Sequence, residues 1–230
     1  MEQTQNELQE QTENQAAGDS AESQAPAKKR AAIKQYFTAT RIAYIAIFTA
    51  LSYALRFWEF SLLPGTPVTF LKLDFSNIFP LIGGFALGPV AGMTIGILKE
   101  ALWIPFSTTV GVGELANILI MLPFVLIPSI AYKYRKGFKS VLVFISIACL
   151  CTVVWSFPIN WLLNFPVFLQ FNWQGGMSFF MSVWYWVMLF NLIKYVALSV
   201  IVLLVYKSVS RLIKLTSAKF DKKSKKIDNG

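Results

Sequence analysis

Histidine is absent from all 230 residues, which removes imidazole from every acid–base and metal-ligating role. Cysteine is nearly absent too. Cys149 and Cys151 lie two apart in an apolar run, so a helix points them to different sides and no bridge between them is expected. They read as small apolar fillers. Charged residues make up only 14% of the chain and gather near its ends. No Gly-rich phosphate loop of the GxxxxGK[ST] type occurs, so no ATPase activity of its own is expected. A membrane-embedded carboxylate cluster for proton or sodium coupling is not expected either. The first 27 residues hold no Lys or Arg and are rich in Gln, Glu, Ser and Ala. Such a composition builds no core and predicts a disordered segment. It is not a signal peptide, which starts basic and turns apolar at once.

Hydrophobic residues dominate what remains: they are 55% of the chain, and the mean hydropathy is +0.53. This composition predicts an all-α integral membrane protein. Three regions follow: a polar tail over 1–35, a membrane domain over 36–212, and a basic tail over 213–230. Six apolar segments are predicted, at about 37–58, 76–87, 90–106, 115–132, 141–169 and 180–206. The second is short for a simple span. It meets the third at Gly88-Pro89, a tight turn with no room for a loop. The uncharged stretch 169–181 is predicted as a loop.

Charge orients these segments. Lys28, Lys29, Arg30 and Lys34 precede the first, Lys133, Arg135, Lys136 and Lys139 lie between the fourth and fifth, and the C-terminal tail is basic. The opposite loops carry few charges, among them Lys72, Asp74 and Glu114. By the positive-inside rule both termini are predicted to be cytoplasmic, with an even number of spans. The net charge of +9 then reads as anchoring at anionic lipid rather than nucleic-acid binding.

Polar residues inside apolar runs mark the candidate site. Lys194 lies thirteen residues before Lys207, roughly 20 Å at the helical rise, near the middle of a bilayer about 30 Å thick. Its stem cannot reach water from there, so its ammonium must find acceptors inside the protein. Asn191 shares its helix face, and a mid-membrane Lys–Asn pair is a binding-site hypothesis. Asn160 and Asn164 stand four apart between Pro158 and Pro166, and either ligand contact or interhelical bonding would satisfy them. Asn117 is placed to face a cavity one turn after Glu114, which reads as a complement to the helix dipole. Lys99 and Glu100 point about 100° apart, one toward a cavity and the other toward a neighbouring helix, in an order left open. Asp74 and Ser76 read as N-caps of the second segment. The stretch 60–76, with two prolines and a glycine, suits a lid over a cavity. Ala46, Ala50 and Ala54 form a smooth strip on the first segment that admits another helix, from this domain or from a partner.

The motifs Phe70-Leu71-Lys72-Leu73-Asp74-Phe75-Ser76, Gly88-Pro89-Val90-Ala91-Gly92, Gly113-Glu114-Leu115-Ala116-Asn117, Asn160-Trp161 and Phe190-Asn191-Leu192-Ile193-Lys194 occur in this order. Together they resemble the riboflavin-specific substrate-binding (S) component of energy-coupling factor (ECF) transporters, over about 41–211. The resemblance implies a six-helix S-component fold in the bacterial plasma membrane and capture of riboflavin from outside. It implies partnership with a transmembrane coupling subunit and two cytoplasmic ATPases. It places flavin contacts at Asn160, Asn191 and Lys194, and the coupling subunit against Ala46, Ala50 and Ala54. The expected ligand-binding set is Lys194, Asn191, Asn160, Asn117, Leu71 and Lys99, with no catalytic residue, no metal and no cofactor; riboflavin is cargo. An S component for another vitamin is the alternative. A membrane enzyme built on Lys99, Glu100 and Lys194 ranks lower, because no nucleophile–base pair or metal set accompanies them. A structural scaffold would leave the buried Lys–Asn face unexplained.

Overall fold

The computed structural model describes residues 38–107, 111–168 and 172–228, with backbone alone at 168 and after 207. The expected tail over 1–35 lies outside the described residues. The chain forms two compact units, Met1–Ala43 and Tyr44–Gly230. Of the first, the described part is Thr38 and the opening turn of helix α1, Ala39–Arg56, where the Ile42 N–H donates to the Thr38 carbonyl. Everything that follows concerns the second unit.

After α1 the chain forms a small antiparallel hairpin, β1 (Phe60–Ser61) with β2 (Lys72–Leu73), in which Phe60 pairs with Leu73 and Ser61 with Lys72. Helices α2 (Ile78–Leu87) and α3 (Pro89–Trp103) follow, α3 ending in a 3-10 turn at Ile104–Phe106. Next come α4 (Val112–Tyr134) and α5 (Phe138–Ile159). A π-helical turn, Asn160–Asn164, then leads into the short α6 (Phe165–Phe168). The last helix, α7, runs from Trp173 to Asp228. Each of the six predicted apolar segments falls on a helix. Among the described residues, three helices are long and apolar enough to cross a membrane: Val112–Tyr134, Phe138–Val167 and Trp173–Lys207. Ile78–Leu87 is a shorter apolar helix.

Local chemistry explains the boundaries. Gly88 alone separates α2 from α3; its φ of 99° suits a residue without Cβ, and Pro89 opens α3 where an N–H would be unbonded anyway. α4 carries Pro123 and Pro128 in its interior. Neighbouring helices and small local adjustments of the backbone let a membrane helix tolerate such breaks. The core centres on Leu81, Phe85, Ile95, Phe124, Ile145 and Leu198, drawn from α2, α3, α4, α5 and α7. A second cluster gathers Val68 of the hairpin loop with Phe165, Phe180, Val183 and Val187.

Two boundary expectations change. The predicted loop 169–181 is helical from Trp173, because Asn172 caps it: its Oδ1 accepts the Gly175 N–H at 2.9 Å. Gly176 within it serves packing. A Cβ on Gly176 would lie 2.3 Å from Pro166 Cα, so α7 docks backbone-to-backbone on α6. The second change is at the C-terminus, where α7 continues past Lys207 to Asp228 as one helix.

Gly176→Ala forces this contact apart. It is expected to destabilise the protein by about 1–3 kcal/mol, as overpacking does. Thermal unfolding in detergent checks this, and an unchanged midpoint would remove the close contact from the account.

Candidate functional site

The helices and the hairpin enclose a cavity with about 150 Å³ of water-accessible space. Phe70, Leu71, Lys72 and Asp74 reach it from the hairpin side. Arg56 and Glu59 line it at the end of α1, and Trp103, Phe106 and Ser107 at the end of α3. Gly113, Glu114, Asn117 and Ile120 come from the first three turns of α4, and Asn160 and Asn164 from the π-helical turn. Phe190, Asn191, Lys194 and Tyr195 come from α7, at spacings that share one helix face.

Lys194 finds its acceptor in Asp74: Nζ donates to Oδ2 at 2.9 Å, and both side chains are buried. Asp74 Oδ1 accepts from the Ser76 N–H at 3.0 Å and from the Ser76 hydroxyl, which itself accepts from Lys99 Nζ. Lys99 Nζ also lies 3.0 Å from Glu100 Oε1, and Arg56 Nη1 donates to Glu100 Oε2. Arg56 Nη2 approaches Glu114 Oε1 at 3.7 Å, while Ser107 Oγ donates to Glu114 Oε2 at 2.7 Å. The Arg56 guanidinium further sits 5.0 Å from the centroid of the Trp103 ring. Arg56, Lys99 and Lys194 are thus balanced by Asp74, Glu100 and Glu114 in one buried network. Asp74 lies in the connection before α2, outside the helices. Burial alone pushes its carboxyl up, but Lys194, Lys99 and Arg56, with the Ser76 hydroxyl, outweigh that and hold it well below the usual carboxylate range.

The amides are arranged around this network. Asn191 Nδ2 donates to the Val187 carbonyl at 2.9 Å. Asn160 Nδ2 donates to the Ser156 carbonyl at 2.7 Å, and its Oδ1 accepts from Asn164 Nδ2 at 2.9 Å. The π-helical turn aims this pair inward: the Phe165 N–H bonds the Asn160 carbonyl five residues back, and Pro166 next to it offers no N–H to restore the α register.

The cavity therefore gathers Lys194, Asn191, Asn160, Asn117 and Leu71. Lys99 is not among its lining residues; it is fully buried and spends its donors on Ser76 and Glu100. Lys99 and Glu100 pair directly, against the expectation that they would serve separate surfaces. Two residues given structural roles by sequence reach the cavity. Asp74 does bond the Ser76 N–H, but the residue preceding α2 is Asn77, and the other Asp74 oxygen holds Lys194. Glu114 does stand in the first turn of α4, yet its carboxylate faces Arg56. Arg56 carried no sequence signal beyond its place at a helix end. Asp74, Glu100 and Glu114 are each set against a cation of the network. Ala46, Ala50 and Ala54 are exposed on one face of α1, away from the buried Ser52 and Arg56.

The model of the family "ECF transporter, substrate-specific component" matches residues 40–206. The chain belongs to this family. A solved structure, described as "Structure and mechanism of the S component of a bacterial ECF transporter", superposes with a TM-score of 0.64 at 28% identity, over 76% of this chain and 98% of the other. The Riboflavin transporter RibU of Staphylococcus aureus (strain TCH60) is 28% identical over 176 residues, 76% of this chain and 92% of the relative. The Riboflavin transporter FmnP of Bacillus subtilis (strain 168) is 23% identical over 172 residues, 72% of this chain and 90% of the relative. As an ECF S component, this chain is an integral protein of the bacterial plasma membrane and a substrate-binding subunit rather than an enzyme.

Glu100→Gln would leave Arg56 and Lys99 buried with one carboxylate fewer. The expected cost is about 3–5 kcal/mol, the usual result of breaking a buried ion pair from one side. Unfolding of the purified S component measures it; a loss below about 1 kcal/mol would show that the network is not compensated as drawn.

Proposed function

We propose that this S component binds riboflavin from outside the cell and delivers it to an ATP-driven coupling module. The observation that carries the reading is a cavity lined by four amides, Asn117, Asn160, Asn164 and Asn191, and a lysine already neutralised by Asp74. A vitamin that bears a carboxylate would call for an uncompensated cation, whereas the cations of this network each face a carboxylate. The isoalloxazine ring is uncharged at neutral pH, with two carbonyls and one N–H on its pyrimidine edge. Amides from Asn160 and Asn191 match a carbonyl and an N–H together, and Lys194 donates to a carbonyl or ring nitrogen while keeping Asp74. Asn117 and Leu71 complete the polar and apolar walls, beside Phe70, Trp103 and Phe190. Lys99 serves the ligand by holding Ser76 and Asp74 in place. The two relatives named as riboflavin transporters support the same cargo.

In this reading all six apolar helices cross or enter the membrane with both termini cytoplasmic. The polar segment 1–35 and the basic stretch 213–230 flank the membrane domain 36–212. The hairpin over 60–73 acts as a lid on the outer side. The exposed face of Ala46, Ala50 and Ala54 receives a helix of the transmembrane coupling subunit, and two cytoplasmic ATPases supply the energy.

Titration calorimetry on the purified chain is expected to show one tight riboflavin site. Lys194→Ala and Asn191→Ala are each expected to weaken it by about 1–3 kcal/mol, the cost of a polar group left without its partner. No heat with riboflavin but tight binding of another vitamin would transfer the reading to a different cargo. Ala50→Trp tests the other face. It should leave riboflavin binding by the isolated chain intact and abolish uptake by cells. Normal uptake with Ala50→Trp would place the coupling surface elsewhere.

A further inference from the structure

A second cavity lies at the end of α4 and the start of α5. It is an apolar groove of about 370 Å³ lined by Ile127, Ile130, Ala131, Tyr134, Arg135 and Phe144. Its walls are almost wholly apolar, and Arg135 is the one charged residue among those that line it. We propose that this groove binds one anionic phospholipid, with an acyl chain along Ile127, Ile130 and Phe144 and the phosphate at Arg135.

Three observations support this. First, α4 and α5 are both long and apolar enough to span, so residues 135–137 between them sit at a membrane–water boundary. The groove therefore opens to the acyl region with its basic end at headgroup level. Second, the charge is one-signed. No Asp or Glu occurs between Glu114 and Asp221, while Lys133, Arg135, Lys136 and Lys139 cluster in seven residues. Lys133 lies 5.9 Å from the Tyr134 ring, and Arg135 and Lys139 are exposed and enter no ion pair with a carboxylate among the described residues. A phosphodiester supplies the missing anion. Third, Tyr134 and Phe138 are exposed beside the basic cluster, at 75% and 46%, which is the placement of aromatic rings at a lipid interface.

The test uses the full chain in detergent, delipidated and then titrated with phosphatidylglycerol or phosphatidylcholine, with bound lipid counted by native mass spectrometry. One phosphatidylglycerol is expected to persist, while phosphatidylcholine washes away. Arg135→Gln with Lys139→Gln should reduce phosphatidylglycerol retention about tenfold, since each basic residue near the phosphate contributes to binding. Ala131→Trp, which fills the groove and spares the charges, should also lose the lipid. Neither variant touches the ligand cavity, so riboflavin binding serves as a control for folding. Equal retention of both lipids would overturn the proposal, as would full retention by the double variant. So would photocrosslinking from position 130 to a protein instead of a lipid in the assembled transporter.

Discussion

The ion pair between Lys194 and Asp74 is the constraint on which the rest of the site depends. A lysine in the middle of an apolar helix cannot remain unpaired, and the C-terminal half of the chain offers no carboxylate before Asp221. The acceptor must come from the other half, and it lies 120 residues away in sequence. Satisfying it brings the connection after α1 down onto α7. The hairpin is carried with it, so Phe70 and Leu71 arrive at the cavity wall beside Asn191. Each buried charge costs several kcal/mol in lost hydration, so one pair cannot stand beside other unpaired charges. Arg56, Lys99, Glu100 and Glu114 extend the compensation across α1, α3 and α4. The same balance that makes these charges tolerable also leaves the cavity without net charge.

The polar residues on apolar helices were legible because they violate a local rule. Lys194, Asn191 and Asn160 stand out from any hydrophobic window, and the cavity holds all three. What they bond to was not legible. Asp74 has a sufficient local explanation as a residue before a helix, and Glu114 has one as a charge in a first turn. A satisfied local rule hides a long-range role. Arg56 ends a hydrophobic helix as any interfacial basic residue does, yet it is 5% exposed and joins two carboxylates. Lys99 erred in the opposite direction: its buried charge was visible, and its commitment to Ser76 and Glu100 was not. Segment edges were read well where proline or charge marked them. The start of α7 was missed because neither proline nor charge marks it in 169–181.

In the proposed function, capture and coupling use different surfaces of the second unit. The cavity draws on the buried faces of the helices, through Ser52, Arg56 and their neighbours on α1. The opposite face of α1 presents alanines among exposed apolar residues such as Ile47 and Leu51. Small side chains there allow a second helix to approach closely, which is how membrane helices associate when no hydrophobic driving force separates them from lipid. α1 is thus the element through which an event at the Arg56 end of the cavity can be felt on the proposed coupling face.

A double-mutant cycle on Asp74 and Lys194 tests the central constraint most directly, with unfolding free energy in detergent as the quantity measured. Asp74→Asn and Lys194→Met each leave one charge buried without its partner, while the double variant removes both. The account predicts that the double variant is more stable than either single one, with a coupling energy of about 2 kcal/mol or more. Additive losses, with the double variant the least stable, would contradict it.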